Sequence, residues 1–176
     1  MRAILFLLFT SYAFAESNFD FSKKFSGTFN GKKLEYTAKV YEKVIFERDD
    51  STKPLASFVV TEYSVSNQKN RPVMFSFNGG PGSASLWLHM GVLGPKVVKV
   101  PSDASDDGSP PYNLINNKLS PLDKADLVFI DPIGTGYSRP LGEHEGKEFW
   151  GVKQDAVVIA EFILSLIHIS EPTRRT

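Results

Sequence analysis

The hydrophobic pattern along the chain falls into two parts that meet near residue 72. In the first part, apolar and polar residues alternate as they do in half-buried strands, most clearly over residues 34–41. Residues 24–28, 44–46 and 56–63 are further predicted strands, and Asn30-Gly31 is a common two-residue hairpin turn. This part therefore predicts an antiparallel meander, followed by a surface loop over residues 64–71.

After residue 72 the apolar runs become nearly continuous. Residues 73–77 and 125–130 have the composition of strands that are covered on both faces. Each run ends in a glycine-containing loop, and helices are predicted over residues 84–90, capped by Ser83 or Ser85, and over residues 149–166. The second helix has apolar residues at amphipathic spacing: Val152, Ala156, Ile159, Ala160, Ile163 and Leu166.

Residues 101–121 are rich in Pro, Ser, Asp and Asn and predict an irregular excursion. The alternation of strands and helices on either side of it indicates an α/β fold. We expect antiparallel strands that lead into a mostly parallel sheet with flanking helices.

The first fifteen residues have the features of a secretory signal peptide. Arg2 gives a basic start, residues 3–9 are a short hydrophobic run, and Ala13-Phe14-Ala15 is a small-x-small cleavage pattern. The sequence contains no cysteine and no Asn-x-Ser/Thr sequon, so no disulfide can stabilise an exported product. We therefore expect cleavage after Ala15 and a secreted or periplasmic protein of a bacterial rather than a eukaryotic type.

Composition argues against several classes of function. The 20 Lys and Arg balance the 20 Asp and Glu, whereas a nucleic-acid-binding protein normally has a basic surplus. No uninterrupted apolar run reaches the ~18 residues of a membrane span, so no membrane association is expected after signal cleavage. No set of His, Cys, Asp and Glu has metal-ligand spacing, and neither a metal nor a cofactor is expected.

The loop of residues 78–83, Asn-Gly-Gly-Pro-Gly-Ser, carries the main chemical signal. Its glycines let a ligand approach the main chain closely, and free N–H groups near a helix start can stabilise a carboxylate or a developing oxyanion. A nucleotide site is not predicted, because the third glycine of a dinucleotide fingerprint and a following Gly-Lys-Ser/Thr are both missing. On spacing alone, an anion-binding loop and a tight strand-to-helix turn stay equally open.

Three sequence blocks together resemble the serine carboxypeptidase family of α/β-hydrolases. They are the Asn-Gly-Gly-Pro-Gly block that begins at Asn78, residues 126–138, which end in Asp-Pro-Ile-Gly-Thr-Gly-Tyr-Ser, and residues 149–155, Phe-Trp-Gly-Val-Lys-Gln-Asp. The resemblance runs from about residue 24 to residue 164 and implies an α/β-hydrolase fold. Ser83 stands where eukaryotic members often have cysteine, which again indicates a bacterial branch.

The resemblance implies a serine-type carboxypeptidase, which releases C-terminal amino acids from peptides by acyl transfer to serine. By position, the Asn78 side chain and the Gly79 N–H would bind the free C-terminal carboxylate of the peptide substrate. The Gly80 N–H would be an oxyanion-hole donor. Trp87 or Met90 would line the adjacent subsite.

The nucleophile that the resemblance requires is missing. The family places its serine in a Gly-Glu-Ser-Tyr-Gly elbow, and no Gly-x-Ser-x-Gly occurs in this sequence. Gly136-Tyr-Ser138-Arg-Pro140 comes nearest, and its last position is wrong. The Asp and His of the triad would lie further downstream, and the three histidines present do not replace them convincingly: His89, His144 and His168.

We therefore expect residues 16–164 to be the N-terminal part of an incomplete hydrolase domain that is inactive by itself. Residues 165–176 depart from the family and resemble translated sequencing-adapter sequence, which indicates an assembly artefact or a natural truncation. Such a domain is expected to leave an open sheet edge and an uncovered apolar face, which favour aggregation.

Other functions and sites stay open at this point. A related acyltransferase or esterase would have the same fold, and a non-catalytic secreted peptide-binding module would retain the anion-binding loop.

Asp131 ends a predicted strand near that loop, but Asp-Pro followed by glycines equally suits a turn. Ser66 and Lys69 match Ser-x-x-Lys within a predicted polar loop. Asp103, Asp106 and Asp107 are expected in a solvated loop.

Overall fold

The computed structural model of the protein describes residues 20–68, 70–79, 82–101, 103, 105 and 109–170. Several of the sequence predictions lie outside the described residues: the signal peptide over residues 1–15, Lys69 of the Ser-x-x-Lys pattern, Asp106 and Asp107, and the end of the divergent tail over residues 171–176.

A main sheet and a small hairpin make up the β structure of the described residues. The strands are β1 (Asp20–Phe29), β2 (Lys32–Phe46), β3 (Pro54–Val65), β4 (Val73–Ser76), β5 (Lys96–Val98), β6 (Leu114–Asn116), β7 (Asp126–Ile130) and β8 (Arg139–Pro140). The main sheet has the order β1-β2-β3-β7-β4, with β8 paired to β3. Only β4 and β7 run parallel among these described pairs. The sheet is therefore an antiparallel meander joined to the start of a parallel sheet, as predicted.

The turn between β1 and β2 forms as the sequence predicts. Asn30 and Gly31 have φ angles of 48° and 81°, and a two-residue hairpin turn of this type needs both central residues in the left-handed region. The Asn30 Nδ2 also donates to Asp123 Oδ1 at 2.8 Å, which ties the hairpin to a distant segment. Residues 34–41 and 44–46, predicted as separate strands, form one continuous strand, β2.

The main sheet separates two apolar clusters. Side chains alternate between the two faces of a strand, so Val128 and Ile130 of β7 join one cluster while Leu127 and Phe129 join the other. The first cluster also contains Phe58 and Phe162, whose ring centroids are 4.5 Å apart. The continuous apolar run of β7 is thus explained by burial on both faces.

The same interpretation is wrong for residues 73–77. β4 lies at the end of the described strand order, and Val73 and Phe77 are 49% and 40% exposed. The expected open edge is therefore present in the described residues. The apolar composition that buries β7 leaves half-exposed side chains on β4, because β4 has a described neighbour on one side only.

The helices differ in their bounds from the predictions. A short helix, α1 (Leu86–Leu88), continues into a π-helical turn, His89–Leu93, where residues 84–90 were expected to be helical. A second helix, α2 (Val152–Ser170), follows a 3₁₀ turn at Gly146–Phe149. Within the described part of the chain, no helix has both the length and the apolar character needed to cross a membrane.

The buried face of α2 agrees only in part with the spacing, because Ile163 and Leu166 pack against the first cluster as expected. Ile159 and Phe162 are buried in the first cluster, whereas Val152 is 86% exposed and Ala156 and Ala160 face solvent. The irregular excursion predicted over residues 101–121 needs a further correction, because it contains β6, which pairs antiparallel with β5.

Candidate functional site

The predicted anion-binding loop lies where the two parallel strands end. Residues 78–83 follow β4, and residues 131–138 follow β7, its parallel neighbour. The carboxyl ends of adjacent parallel strands meet at the same edge of a sheet, which is where ligands bind in open α/β folds. The chain thus brings its two glycine-containing loops together at one edge.

Ser85 connects these two loops. It is buried, with 2% of its surface exposed, and its Oγ accepts a hydrogen bond from the Asn78 N–H at 3.2 Å. The same hydroxyl donates to the Ile130 carbonyl, and the Ser85 N–H donates to Asp131 Oδ1 at 2.8 Å. Ser85 occupies the N-cap position of α1 but makes no capping hydrogen bond with its side chain. Its hydroxyl instead joins the two loops.

Asn78 and Gly79 are placed at this edge. Asn78 is half-buried, and its Oδ1 is buried without a hydrogen-bond partner in the described structure. An unpaired buried polar atom costs roughly 1–3 kcal/mol, which calls for an explanation such as a ligand. Gly79 is exposed, and a Cβ added to it would meet nothing within 4 Å. Its main chain is therefore open to an approaching ligand.

Gly80, the expected oxyanion-hole donor, lies outside the described residues together with Pro81. Gly82, the last glycine of the loop, has a φ of +99°, a left-handed conformation that residues with a side chain seldom adopt. The strand-to-helix turn thus requires at least this glycine for its backbone geometry.

The Asp131 carboxylate contacts the main chain of Ser85 and of Gly136. Besides accepting the Ser85 N–H, its carboxylate lies against Gly136, where an added Cβ would be 1.9 Å from Oδ2. Gly136 therefore provides the space for the carboxylate at a φ of +50°. Asp131 therefore lies between the two loops, and Gly136 has the structural role of leaving room for its carboxylate.

Ser138, the serine nearest to a Gly-x-Ser-x-Gly pattern, is not an exposed nucleophile. It is fully buried, and its Oγ accepts a hydrogen bond from the Val59 N–H at 2.9 Å. Its hydroxyl therefore joins the loop after β7 to β3.

His89 lies beside the site in a neutral form. Its Nε2 is 2.6 Å from the Tyr63 Oη, its ring stacks on Phe129 at 4.5 Å, and burial lowers the pKa of the imidazole to about 4. It borders a cavity of about 90 Å³ that is lined by residues of β3, of β7 and the loop after it, and of the segment around α1: Val59, Thr61, Ser85, Leu86, His89, Phe129 and Asp131. These contacts give His89 a packing role.

His144 is not brought to the site. Its Nδ1 lies 2.9 Å from Glu148 Oε2 and its Nε2 lies 3.2 Å from Glu47 Oε1. The hydrogen bond with Glu148, followed by that with Glu47, raises the pKa of His144. This histidine borders a separate groove with Phe149 and Val158, and no group of three metal-ligating side chains occurs among the residues that the structure describes.

Three further residues singled out by the sequence are Trp87 and Met90, near α1, and Asp103, in a loop. Trp87 on α1 is 69% exposed and Met90 is half-buried, so Trp87 is the more accessible of the two near the loop. Asp103 is exposed, and a hydrogen bond from Ser105 lowers the pKa of its carboxyl, as suits a solvated loop.

The sequence does not predict two features of the strands that carry the site. One is the bridging role of Ser85, for which the sequence signal is the same as that of an ordinary helix cap. The other is the pair of Arg71 and Asp126, in which Nε donates to Oδ1 at 2.8 Å. Asp126 Oδ1 also accepts the Val65 N–H at 3.1 Å, so this pair fixes the start of β4 and β7, at the opposite end of these strands from the two loops.

Together, these features describe a mixed α/β protein whose sheet and helices are compatible with part of an α/β-hydrolase fold. A family model described as serine carboxypeptidase matches residues 50–165. The chain therefore belongs to the serine carboxypeptidase family.

Curated relatives agree with this assignment. The chain is similar to the pheromone-processing carboxypeptidase KEX1 from two strains of Saccharomyces cerevisiae, JAY291 and FostersO. Each is 33% identical over 102 residues, which is 57% of this chain and 12% of the relative. The chain thus spans only a small part of the length of the curated relatives that it matches.

Proposed function

We propose that the chain is the N-terminal part of a secreted or periplasmic serine carboxypeptidase, and that Asn78 and Gly79 bind the C-terminal carboxylate of a peptide. Family membership supports the general activity. The short match to KEX1, 12% of its length, and the absence of a Gly-x-Ser-x-Gly sequence support the view that this portion is inactive alone. The signal-like residues 1–15 support export, and the lack of cysteine supports a bacterial-type member.

The observation that carries this proposal is the unpaired side-chain oxygen of Asn78 beside the open main chain of Gly79. The buried oxygen of this amide is an acceptor that the described residues leave unsatisfied, and a bound ligand would satisfy it. Its NH₂ group can donate to a carboxylate, and its oxygen can accept from a peptide N–H. The Gly79 N–H would supply a second donor, so this pair suits the end of a peptide chain.

In the complete reaction, each part of the loop has a separate task. Asn78 and Gly79 hold the terminal carboxylate and thereby place the last peptide bond. The Gly80 N–H stabilises the oxyanion that forms when serine attacks that bond, and such a donor contributes about 3–4 kcal/mol to the transition state. The attacking serine and its Asp and His partners come from a part of the protein other than residues 16–164.

Calorimetric titration of the chain tests the carboxylate site. We expect a peptide with a free C-terminus to bind more tightly than the same peptide with an amidated C-terminus. Asn78→Ala should abolish that difference, while Asn113→Ala, a substitution in an exposed loop, should preserve it. Equal binding of the two peptides to the unsubstituted chain would refute the site.

The missing nucleophile also favours a second candidate, a secreted module that binds peptides without cleaving them. The two proposals differ in the nucleotide sequence beyond the codon for Leu164. An open reading frame that encodes Gly-Glu-Ser-Tyr-Gly supports the peptidase, and a genuine stop supports the binding module. Cleavage of acyl esters but not of peptides by the longer protein would instead favour a related acyltransferase or esterase.

A further inference from the structure

We infer that Ser85 is a positioning residue for carboxylate recognition, which acts by clamping the main chain of Asn78 to the end of β7. The inference rests on the carboxylate-binding role proposed for Asn78. It assigns to Ser85 a task beyond helix capping and local stability.

The sheet itself does not hold Asn78. Pairing between β4 and β7 ends with Ser76 and Phe129, two residues before Asn78. Beyond that point the Ser85 hydroxyl bridges the two strand ends, since it accepts the Asn78 N–H at 3.2 Å and donates to the Ile130 carbonyl. The position of Asn78 relative to β7 therefore depends on this hydroxyl.

Ser85 is itself fixed from both sides. Its N–H donates to Asp131 Oδ1 at 2.8 Å, and its carbonyl accepts the His89 N–H at 2.8 Å. The Asp131 carboxylate is confined in turn by Gly136. Because Ser85 is buried and all of its polar groups are engaged, its hydroxyl has little freedom to shift.

Such rigidity matters for a ligand that is bound by few groups. A carboxylate needs donors that converge on it, and a displacement of these donors weakens the charge-assisted hydrogen bonds they make. The proposed donors are the Asn78 side-chain NH₂ and the Gly79 N–H, and both are attached to the main chain that the Asn78 N–H anchors. Breaking the hydrogen bond from the Asn78 N–H to Ser85 would therefore let both proposed donors move.

Two other buried serines provide controls for a purely structural effect. The Ser120 Oγ donates to the Leu93 carbonyl at 2.7 Å, and the Ser138 Oγ accepts the Val59 N–H. Both are fully buried, yet neither hydroxyl bonds to residues 78–79. Ser120→Ala therefore removes a comparable buried hydrogen bond without releasing Asn78.

The test compares Ser85→Ala, Ser85→Thr and Ser120→Ala in the full chain. For Ser85→Ala we expect about tenfold weaker binding of the free-acid peptide, equivalent to about 1.4 kcal/mol, and faster hydrogen exchange of the Asn78 amide. Ser85→Thr, which keeps the hydroxyl, should restore both properties in part. Ser120→Ala should lower the melting temperature but change neither the affinity nor the exchange of Asn78.

The outcomes separate this inference from the proposed function. Unchanged affinity and unchanged Asn78 exchange in Ser85→Ala would overturn the inference, and so would an equal loss of affinity in Ser120→Ala. Failure of the unsubstituted chain to prefer the free-acid peptide would overturn the proposed function. In that case, the exchange rate of Asn78 in Ser85→Ala still decides whether Ser85 is a clamp.

Discussion

The stability of the fold should decrease between about pH 6.5 and pH 4 because His89 is buried in its neutral form. The imidazole is held by the Tyr63 hydroxyl and by stacking on Phe129, and burial lowers its pKa from 6.5 to about 4. In the unfolded chain the same group takes up a proton near pH 6.5. Protonation therefore favours the unfolded state throughout this interval.

The size of the effect follows from the pKa difference. Each pKa unit corresponds to about 1.36 kcal/mol, so the change from 6.5 to about 4 gives a loss of about 3 kcal/mol. The full contribution of neutral His89 is present above pH 6.5, falls as the pH decreases, and levels off below pH 4, where both states are protonated. His144 acts in the opposite direction, because its raised pKa adds stability in acid that is lost as the pH rises through that pKa.

Urea denaturation at a series of pH values measures this dependence. His89→Gln, which can still accept a hydrogen bond from Tyr63, should flatten the decline between pH 6.5 and pH 4, whereas His144→Gln should leave that part of the curve in place. A proton NMR titration gives the pKa of His89 directly. A His89 pKa near 6.5, or an unchanged pH dependence in His89→Gln, would show that burial of neutral His89 does not cause the decline.

Three substitutions test the contacts that hold the fold together. Phe162→Ala removes the α2 side chain that packs against Phe58 and should cost about 3–5 kcal/mol, measured by urea denaturation. Gly136→Ala should cost at least about 1 kcal/mol, because its Cβ would lie 1.9 Å from Asp131 Oδ2 at a positive φ; a thermal melt measures the loss. Asp126→Ala should cost about 3 kcal/mol, since it leaves the buried Arg71 guanidinium without its carboxylate, and circular dichroism at increasing temperature follows that unfolding.

Each of these substitutions has a control. Leu164 on α2 is half-exposed, so Leu164→Ala should change stability much less than Phe162→Ala, and equal losses would contradict the described face of α2. The Cβ of Gly79→Ala would lie in open space, so this substitution should change the melting temperature little. A larger loss of stability in Gly79→Ala than in Gly136→Ala would contradict the expected steric clash at Gly136. Asp103→Ala in an exposed loop should be close to neutral, and a loss equal to that of Asp126→Ala would contradict the importance of the buried pair.

The sequence predicts the meander and β7 well because their signals are local. Asn30-Gly31 has the composition of a hairpin turn, and the apolar run of β7 is buried on both faces. The sequence cannot distinguish β4 from β7, because the runs are alike and their exposure depends on which strands lie beside them. The β5–β6 hairpin was missed for a related reason, since strands of three residues carry too little pattern.

The face of α2 shows a second limit. Ala156 and Ala160 fit an apolar stripe as well as Ile159 does. The face of the helix that packs on the sheet is instead the one that carries Phe162, which packs against Phe58. The large aromatic ring decides the orientation through the shape of the facing cluster. That information lies in β3 and cannot be obtained from the helix sequence alone.

The sequence indicates which residues could form the candidate site but not how they are connected. Asn78 and Gly79 were singled out from the glycine loop and its family resemblance, and the structure places them at the edge where β4 and β7 end. The sequence offered Ser85 only as a helix cap, because a serine before a helix suits a cap and an inter-strand bridge equally well. The bond from Ser85 to Asp131 joins residues that are 46 positions apart, which no local pattern reveals.

The most direct test of the carboxylate site is an NMR titration of the isotopically labelled chain with a peptide. We expect a peptide with a free C-terminus to shift the signals of the Asn78 side-chain NH₂ and the Gly79 N–H. The same peptide with an amidated C-terminus should leave both signals nearly unchanged. Equal shifts with the two peptides, or no shift with either, would show that Asn78 and Gly79 do not bind the C-terminal carboxylate.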